Sequence, residues 1–181
     1  MVGHVRQVRL AASTFALAAL LFAAPATSSV RPATAPVTAY RTLTRPATWR
    51  RPPPPFRYRT VGTFGRLTRF GLGTVLVNYA YSPARTNAAV VVEVIKSAPL
   101  ARSWLTSITV KNGATAVPST RAYRWVTTVG DGYEPNMAMR VGFVVVTATG
   151  EETKQRPTRT AWARVGKLLA FAAARARSAL R

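Results

Sequence analysis

Cysteine is absent from the 181-residue chain, histidine occurs once, as His4, and only five residues carry a carboxylate. The missing cysteine excludes disulfides, thiolate nucleophiles and cysteine-ligated zinc sites. A serine–histidine–aspartate triad would have to use His4, and a metal site would need several of the five carboxylates to converge. Neither familiar type of glycine-rich phosphate loop is present. We therefore predict that the protein is not an enzyme, with no catalytic, cofactor-binding or metal-binding residues and no small-molecule substrate.

Positively charged residues greatly outnumber acidic ones in the chain. The chain has 26 Lys plus Arg against 5 Asp plus Glu, a formal net charge of +21, and only four of the cations are lysines. Such a field favours nucleic acid, anionic lipid or an acidic protein surface as partner, and arginine suits bidentate contacts. Because 48% of the residues are hydrophobic, the chain is too apolar to be disordered throughout. We expect one small folded domain with basic extensions.

The acidic residues are confined to the second half of the chain. Residues 1–92 contain twelve arginines and no carboxylate, and the first acid is Glu93. An acid-free stretch rich in arginine, alanine, serine and threonine is typical of mitochondrial targeting. The apolar residues 10–25 also fit a secretory signal, and residues 10–30 also fit a retained membrane anchor. Since the acid-free stretch continues far beyond any signal cleavage site, we predict a mitochondrial protein with residues 1–30 as leader or anchor.

Residues 31–63 are interpreted as an extended, Arg/Pro-rich arm. Seven prolines disfavour helix in this segment, and its arginines alternate with aromatic residues. Alternating guanidinium groups and rings can grip phosphates, stack on bases or follow an acidic protein groove. A solvated linker and a presequence discarded after import are the other interpretations. The predicted partner contacts of the arm are Arg41, Arg45, Trp49, Arg50, Arg51, Arg57 and Arg59.

Residues 64–82 form a short apolar segment. Its uncharged part, residues 70–82, is too short to span a bilayer unaided. The segment is predicted to be either membrane-associated or a buried element of the fold.

Two helices are predicted at the start of a small α+β domain, residues 83–150. Ser82 followed by Pro83 is a favourable helix start, because serine caps and proline fits the first turn. Positions 88, 91, 92 and 95 are then apolar at helical spacing, although the valines at 90–92 also fit a strand. A second, shorter helix is expected from Pro99 to Leu105.

An antiparallel meander of about three strands is predicted to follow. Alternating apolar residues begin at Ile108 and lead to Asn112-Gly113, a pair typical of a two-residue hairpin turn. Residues 121–129 are β-rich and end at a second turn, residues 130–132. The clearest alternation runs over residues 137–146 and predicts one strand that ends before Gly150.

Residues 151–181 are interpreted as a linker and a basic amphipathic helix capped by Thr160. Its apolar stripe falls at spacings of three and four, with the basic residues off the stripe. Such a helix lies on an anionic membrane, packs against a partner, or covers the open face of the sheet. The last interpretation is favoured, and the predicted partner contacts are Trp162, Val165 and Leu169.

The predicted fold class is therefore α+β. It consists of one or two short helices, a small antiparallel β-meander and a C-terminal amphipathic helix, preceded by the extended basic arm.

The order of these elements resembles a family of small inner-membrane proteins. The matching residues are Val92, Ile95 and Pro99, the Trp104-Leu105 pair with Ile108, and the segments Trp125–Gly130 and Met139–Ala148. This pattern is similar to the family of the translocase subunit Tim-twenty-one and cytochrome oxidase assembly factor one. The glycine usual after that family's hydrophobic turn is Thr106 here. The resemblance implies a non-catalytic protein that faces the intermembrane space and docks on respiratory-chain complexes.

Two functions from different classes follow. The first is a non-catalytic accessory or assembly subunit of a mitochondrial inner-membrane respiratory complex, with cytochrome c oxidase as the example. Its partners are then the other subunits of the membrane complex and, as a further candidate, anionic lipid. The alternative is a mitochondrial ribosomal protein whose basic arm binds ribosomal RNA. A secreted basic protein is a third reading, if residues 10–25 are a cleaved signal.

Overall fold

Eleven helices and strands lie within the part of the chain that the computed structural model describes, residues 34–64, 71–81 and 86–181. In chain order they are α1 (Thr34–Leu43), α2 (Pro46–Trp49), β1 (Phe56–Phe64), β2 (Gly71–Tyr81), β3 (Thr86–Ile95), α3 (Ala98–Lys111), β4 (Thr115–Ala116), β5 (Ala122–Val129), β6 (Gly132–Val141), β7 (Val144–Thr149) and α4 (Arg159–Ala179).

All the strands join one antiparallel sheet in the order β1-β2-β3-β7-β6-β5-β4. The first three strands form a meander, and β5, β6 and β7 form a second one. The two meanders meet where β3 pairs with β7, along Ala89–Val94 and Val144–Thr149. The two edges of the sheet are therefore β1 and the β4–β5 pair.

The two faces of the sheet are covered differently. The α4 face packs against α4, α1 and α2, and it carries alternate residues of β2 and β3 such as Val75, Val77, Val90 and Val92. The α3 face packs, among the described elements, against α3 alone, over β3, β5, β6 and β7. The larger core therefore lies under α4, and a smaller one lies under α3.

Local sequence explains where the two long helices begin and end. Ser97 caps α3 by accepting a hydrogen bond from the Leu100 amide (3.4 Å), and Pro99 occupies the first turn. Gly113 follows the end of α3 with φ +58°, a conformation that glycine adopts at little cost. Thr158 caps α4 by accepting from the Ala161 amide (3.2 Å).

The predicted α+β class, the antiparallel sheet and the C-terminal helix are confirmed. The helix expected from Pro99, the strand over residues 121–129 and the turn after it are also present, as α3, β5 and the β5–β6 hairpin. The apolar stripe of α4 covers the sheet, as favoured from its spacing. Its capping residue is Thr158 rather than Thr160.

Three secondary-structure predictions are wrong. The helix predicted from Ser82 is strand over Thr86–Ile95, because β-branched valines prefer strands and alternate positions are buried. The strand predicted at Ile108 is the last part of α3, so Asn112-Gly113 ends a helix rather than joining two strands. The single strand predicted over residues 137–146 is the β6–β7 hairpin, whose turn contains Gly142 at φ +58°.

The extended arm predicted at residues 31–63 is also corrected. Its described part contains α1, α2 and β1 as far as Thr63. These three elements pack against the rest of the fold. Of the segment 64–82, the described residues Gly71–Tyr81 form β2, which is paired on both sides. The predicted leader, residues 1–30, lies outside the described residues. Within the described residues, every helix is too short or too polar to cross a membrane.

Where α1 contacts the sheet, the ring of Tyr40 lies against Gly73, which has no side chain. A Cβ placed at Gly73 of β2 would lie 2.6 Å from the Tyr40 ring carbon Cε2. A real Cβ does not approach a ring that closely, so a side chain at position 73 would force the Tyr40 ring to shift.

We therefore expect Gly73→Ala to displace α1 and to lower the free energy of unfolding by about 1–3 kcal/mol. Gly62→Ala is the matched control, since a Cβ at Gly62 in β1 meets no atom within 4 Å. Urea unfolding of both variants measures the difference. Equal stabilities would show that Tyr40 moves aside without cost.

Candidate partner interface

The described residues contain no group of three or more His, Cys, Asp or Glu side chains placed to hold a metal ion. Charged side chains and exposed apolar groups on the described surface are the candidate partner contacts. Three features stand out: an arginine-rich edge, an internal carboxyl on the α3 face, and two cavities near the start of α4.

Six exposed arginines lie at the β1 end of the molecule, and we call them the arginine edge. They belong to the last turn of α1, the flanks of α2 and the strand β1, and they are Arg41, Arg45, Arg50, Arg51, Arg57 and Arg59. Arg59 has no partner in the register between Tyr58 and Thr60, where the β1–β2 ladder is irregular. Exposed arginines on three consecutive elements make this part of the surface positive, which favours an anionic partner.

A buried tryptophan fixes the backbone that carries these arginines. The Trp49 Nε1–H donates a hydrogen bond of 2.6 Å to the Leu43 carbonyl, and both side chains are fully buried. The Thr48 hydroxyl donates to the Thr42 carbonyl at 2.7 Å, which ties α2 to the end of α1 a second time. The arginine edge is thus part of the folded body, and its guanidinium groups project from a defined backbone.

An aromatic cluster joins β1 and β2 to α4 beneath the arginine edge. The ring of Tyr79 meets Phe56, Tyr58 and Phe171 edge to face, with centroids 6.5, 6.3 and 6.5 Å away. The Tyr79 hydroxyl is buried and has no hydrogen-bond partner among the described residues. Burial raises the pKa of this phenol far above its ordinary value, with the Tyr58 hydroxyl as a further cause and Arg175 opposing it.

One carboxyl lies inside the α3 face. The Trp104 indole N–H of α3 donates to Glu93 Oε2 of β3 at 2.8 Å. Burial raises the pKa of Glu93 to about 7, and the hydrogen bond from Trp104 partly opposes the shift. The carboxyl therefore titrates near neutral pH at the contact between α3 and the sheet.

A second carboxyl has a raised pKa, at Glu134 in β6. Burial is the main cause, and the negative charge of Glu152 is the other. Raised pKa values are one mark of catalytic carboxyls. Neither Glu93 nor Glu134 lines either of the two cavities described next, so we interpret both as structural carboxyls.

Two cavities flank the segment that leads into α4. A cleft of about 190 Å³ is lined by apolar residues that include Phe56 and Val165. Its polar lining residues include Arg156 and Arg164. A shallower groove of about 430 Å³ lies over β5 and is lined by Val126, Thr128, Tyr133, Arg156, Pro157 and Trp162. We call the second cavity the β5 groove. Arg156 lines both cavities, so the two are neighbours on the surface.

The ten predicted contact residues fall into three groups. The six arginines are exposed at one end of the sheet, and Trp162 is half-buried in the β5 groove towards the other end. Trp49, Val165 and Leu169, the other predicted partner contacts, are 0%, 1% and 3% exposed and belong to the core.

Sequence reasoning missed Arg124 and Val126, among other residues at the β5 groove. Arg124 places its guanidinium 5.5 Å from the centroid of the Trp162 ring, and Val126 is 39% exposed. A signal was available for both, since alternation along residues 122–129 puts positions 124 and 126 on the same face. The covering of that face by Trp162 is a tertiary contact and leaves no local signal.

Comparison with models of known protein families gives no match, and comparison with curated proteins also gives none. Among solved structures, a protein of Chromobacterium violaceum is 15% identical and is matched over 75% of this chain and 86% of that one. The TM-score of that match is 0.23, which is too low to support an argument about fold or function.

The unpaired hydroxyl of Tyr79 yields a stability prediction. A buried polar group without a partner costs about 1–3 kcal/mol, so Tyr79→Phe should leave the protein equally stable or stabilise it by about 1 kcal/mol. Tyr58→Phe, at a half-buried ring of the same cluster, is the control and should change little. Urea unfolding measures both. A clear loss of stability in Tyr79→Phe would show that the hydroxyl has a partner, such as a bound water.

The Glu93 carboxyl predicts a pH dependence. Its pKa is raised in the folded state, so the folded protein binds more protons than the unfolded chain between the ordinary glutamate pKa of 4.5 and about 7. Stability should therefore fall as the pH rises through that window, by up to about 3 kcal/mol. Glu93→Gln should remove the contribution of this residue to the fall and leave that of Glu134, because the amide oxygen still accepts from Trp104 and carries no charge.

Trp104→Phe is the opposing variant, since it removes the indole donor that stabilises the ionised carboxylate. It should lose more stability at about pH 8 than at about pH 5. Denaturant unfolding at the two pH values compares wild type and both variants. A Glu93→Gln protein that keeps the wild-type pH dependence would contradict the assignment of the fall to this residue.

Proposed function

We propose that the chain is a non-catalytic accessory or assembly subunit of a mitochondrial inner-membrane respiratory complex, attached through the arginine edge. Cytochrome c oxidase is the first complex to test. The observation that carries the proposal is the placement of six exposed arginines on structured elements at one end of the sheet.

Ordered arginines bind more effectively than a flexible arm with the same charge. Guanidinium groups form charge-assisted, often bidentate hydrogen bonds with carboxylates or phosphates. A backbone that is already ordered by the Trp49–Leu43 hydrogen bond has less entropy to lose when the partner binds. The partner surface that fits this edge is rich in acidic groups and rigid enough to present several at once.

The support for a respiratory complex as the partner comes from the sequence and not from the fold. The acid-free, arginine-rich start of the chain favours a mitochondrial location. The resemblance to the family of the translocase subunit Tim-twenty-one and cytochrome oxidase assembly factor one favours docking on a respiratory complex. In this proposal the protein contributes adhesion and no chemistry.

A mitochondrial ribosomal protein is the second candidate, and one observation favours it. The arginines predicted for a loose arm lie on the folded body, where a protein that binds ribosomal RNA also needs them. In that case the same edge would neutralise backbone phosphates, and binding would release counterions.

The arginine edge is tested as the contact by replacing four of its residues. Arg50, Arg51, Arg57 and Arg59 changed together to Ala should weaken attachment to the respiratory complex at least about tenfold, because several charge-assisted contacts are lost. The matched control replaces four exposed arginines elsewhere, and so removes the same charge: Arg102, Arg121, Arg159 and Arg177. Size fractionation of mild-detergent extracts of mitochondria measures attachment, and thermal unfolding checks that both variants fold.

Three outcomes are informative. Loss of attachment in the edge variant alone supports the arginine edge as the contact. Equal loss in both variants would mean that net charge, not this surface, mediates binding. Co-migration of the unaltered protein with ribosomal subunits, together with its release by ribonuclease, would replace the respiratory proposal with the ribosomal one.

A further inference from the structure

The outer edge of β5 is open over most of its length. The short strand β4 pairs only with Tyr123 and Arg124, through Ala116 and Thr115. From Trp125 to Val129, no described strand pairs with β5 on that side. An exposed edge strand has unpaired N–H and C=O groups that tend to pair with another strand, and proteins usually shorten or cover such edges. Five unpaired residues at the edge of β5 therefore indicate a place for another strand.

The register of the β5–β6 hairpin shows which backbone groups face outwards. Val129 pairs with Gly132 across a two-residue turn, and Thr127 and Trp125 pair with Glu134 and Asn136. In an antiparallel hairpin of this kind, the odd-numbered residues of β5 direct their N–H and C=O groups to β6. The amides and carbonyls of Val126 and Thr128 therefore point away from the sheet.

The side chains of the same two residues line the β5 groove. Val126 is 39% exposed, one of the most exposed large apolar side chains of the described residues, and Pro157 and Trp162 form the opposite wall. A strand added at this edge would thus find backbone partners and, on the α4 face of the sheet, an apolar recess for one side chain. Backbone pairing with pockets for alternate side chains is how extended peptides bind sheet edges.

The positive charges around the groove favour a negatively charged ligand. Arg156 lines the groove, and the guanidinium of Arg124 lies 5.5 Å from the Trp162 ring centroid. This cation covers part of the indole, so the ring is poorly placed to stack on a nucleic-acid base. Nucleic acid also lacks the alternating N–H and C=O groups that the open edge requires.

We propose that the open edge of β5 and the β5 groove bind an extended acidic segment of a partner protein, which pairs as an additional strand with Val126 and Thr128. An apolar residue of that segment enters the groove beside Val126, and a carboxylate meets Arg156. A second copy of this chain fits poorly, because its own edges carry arginines such as Arg57 and Arg124. The inference goes beyond the proposed function, since this surface lies at the other end of the sheet from the arginine edge.

The test uses the full chain and a synthetic probe. The probe is the acetylated and amidated peptide Thr-Glu-Thr-Val-Thr-Glu-Thr, whose valine and glutamates share one face of a strand, and the control peptide has lysine in place of each glutamate. NMR hydrogen exchange should find the Val126 and Thr128 amides unprotected in the free protein and protected when the acidic peptide is added. The lysine peptide and a ten-nucleotide oligouridylate should leave them unprotected.

Two pairs of variants locate the contacts. Arg156→Glu should weaken binding of the acidic peptide about tenfold, whereas Lys154→Glu, with the same charge change in the same segment, should not. Thr128→Pro removes one outward amide and should abolish the protection at this edge, whereas Thr128→Val keeps the amide and should bind normally. Fluorescence anisotropy of a labelled peptide gives the affinities, and thermal unfolding checks the fold.

Several results would overturn the inference. Protection of Val126 and Thr128 in the free protein would show that the edge is already occupied. Protection by the oligouridylate, or equal binding of the two peptides, would identify a different ligand class. None of these results affects attachment through the arginine edge, which is measured in mitochondrial extracts with different variants, so failure of the two proposals can be told apart.

Discussion

Burial of the sheet under α4 is the constraint on which the rest of the structure depends. Alternate side chains of β2, β3 and β7 point to that face, and the matching surface of α4 is built from leucines and alanines, including Leu168 and Ala172. Each fully buried valine or leucine contributes about 1.5–3 kcal/mol, so this face supplies most of the driving force for folding. The small alanines let the helix lie close to the strands. Both α1 and α2 contact α4, so the arginine edge is also held in place through this helix.

The elements that sequence reasoning located correctly carry unambiguous local signals. Pro99 marks the start of α3, and the spacing of apolar residues in α4 identifies its buried stripe. The errors arise where one pattern fits two structures. Apolar positions 88–95 fit both a helix stripe and a buried strand, and Asn112-Gly113 fits both a hairpin turn and a helix end. The contact between Tyr40 and Gly73 is tertiary and has no local signal at all.

The surface was harder to foresee than the fold. Charge counting identified the six exposed arginines, because burial of an unpaired guanidinium is too costly to occur. It did not separate them from Trp49, which has the same neighbours in sequence but points into the core. Aromatic residues between arginines fit a binding arm and a folded corner equally well. The open edge of β5 was beyond reach, since it depends on how few residues of β4 pair with it.

The strand order has a consequence for how the chain folds during synthesis. The helix that covers the sheet follows every described strand, and β3 pairs with β7, some fifty residues further along the chain. Within the described residues, α1 covers part of the α4 face over β2 and β3, but β6 and β7 have no helix on that face until the ribosome has made α4. Pairings between segments that are distant in the chain form slowly. Apolar strands that are exposed in the meantime are prone to aggregate. The nascent chain is therefore exposed to aggregation until α4 has emerged.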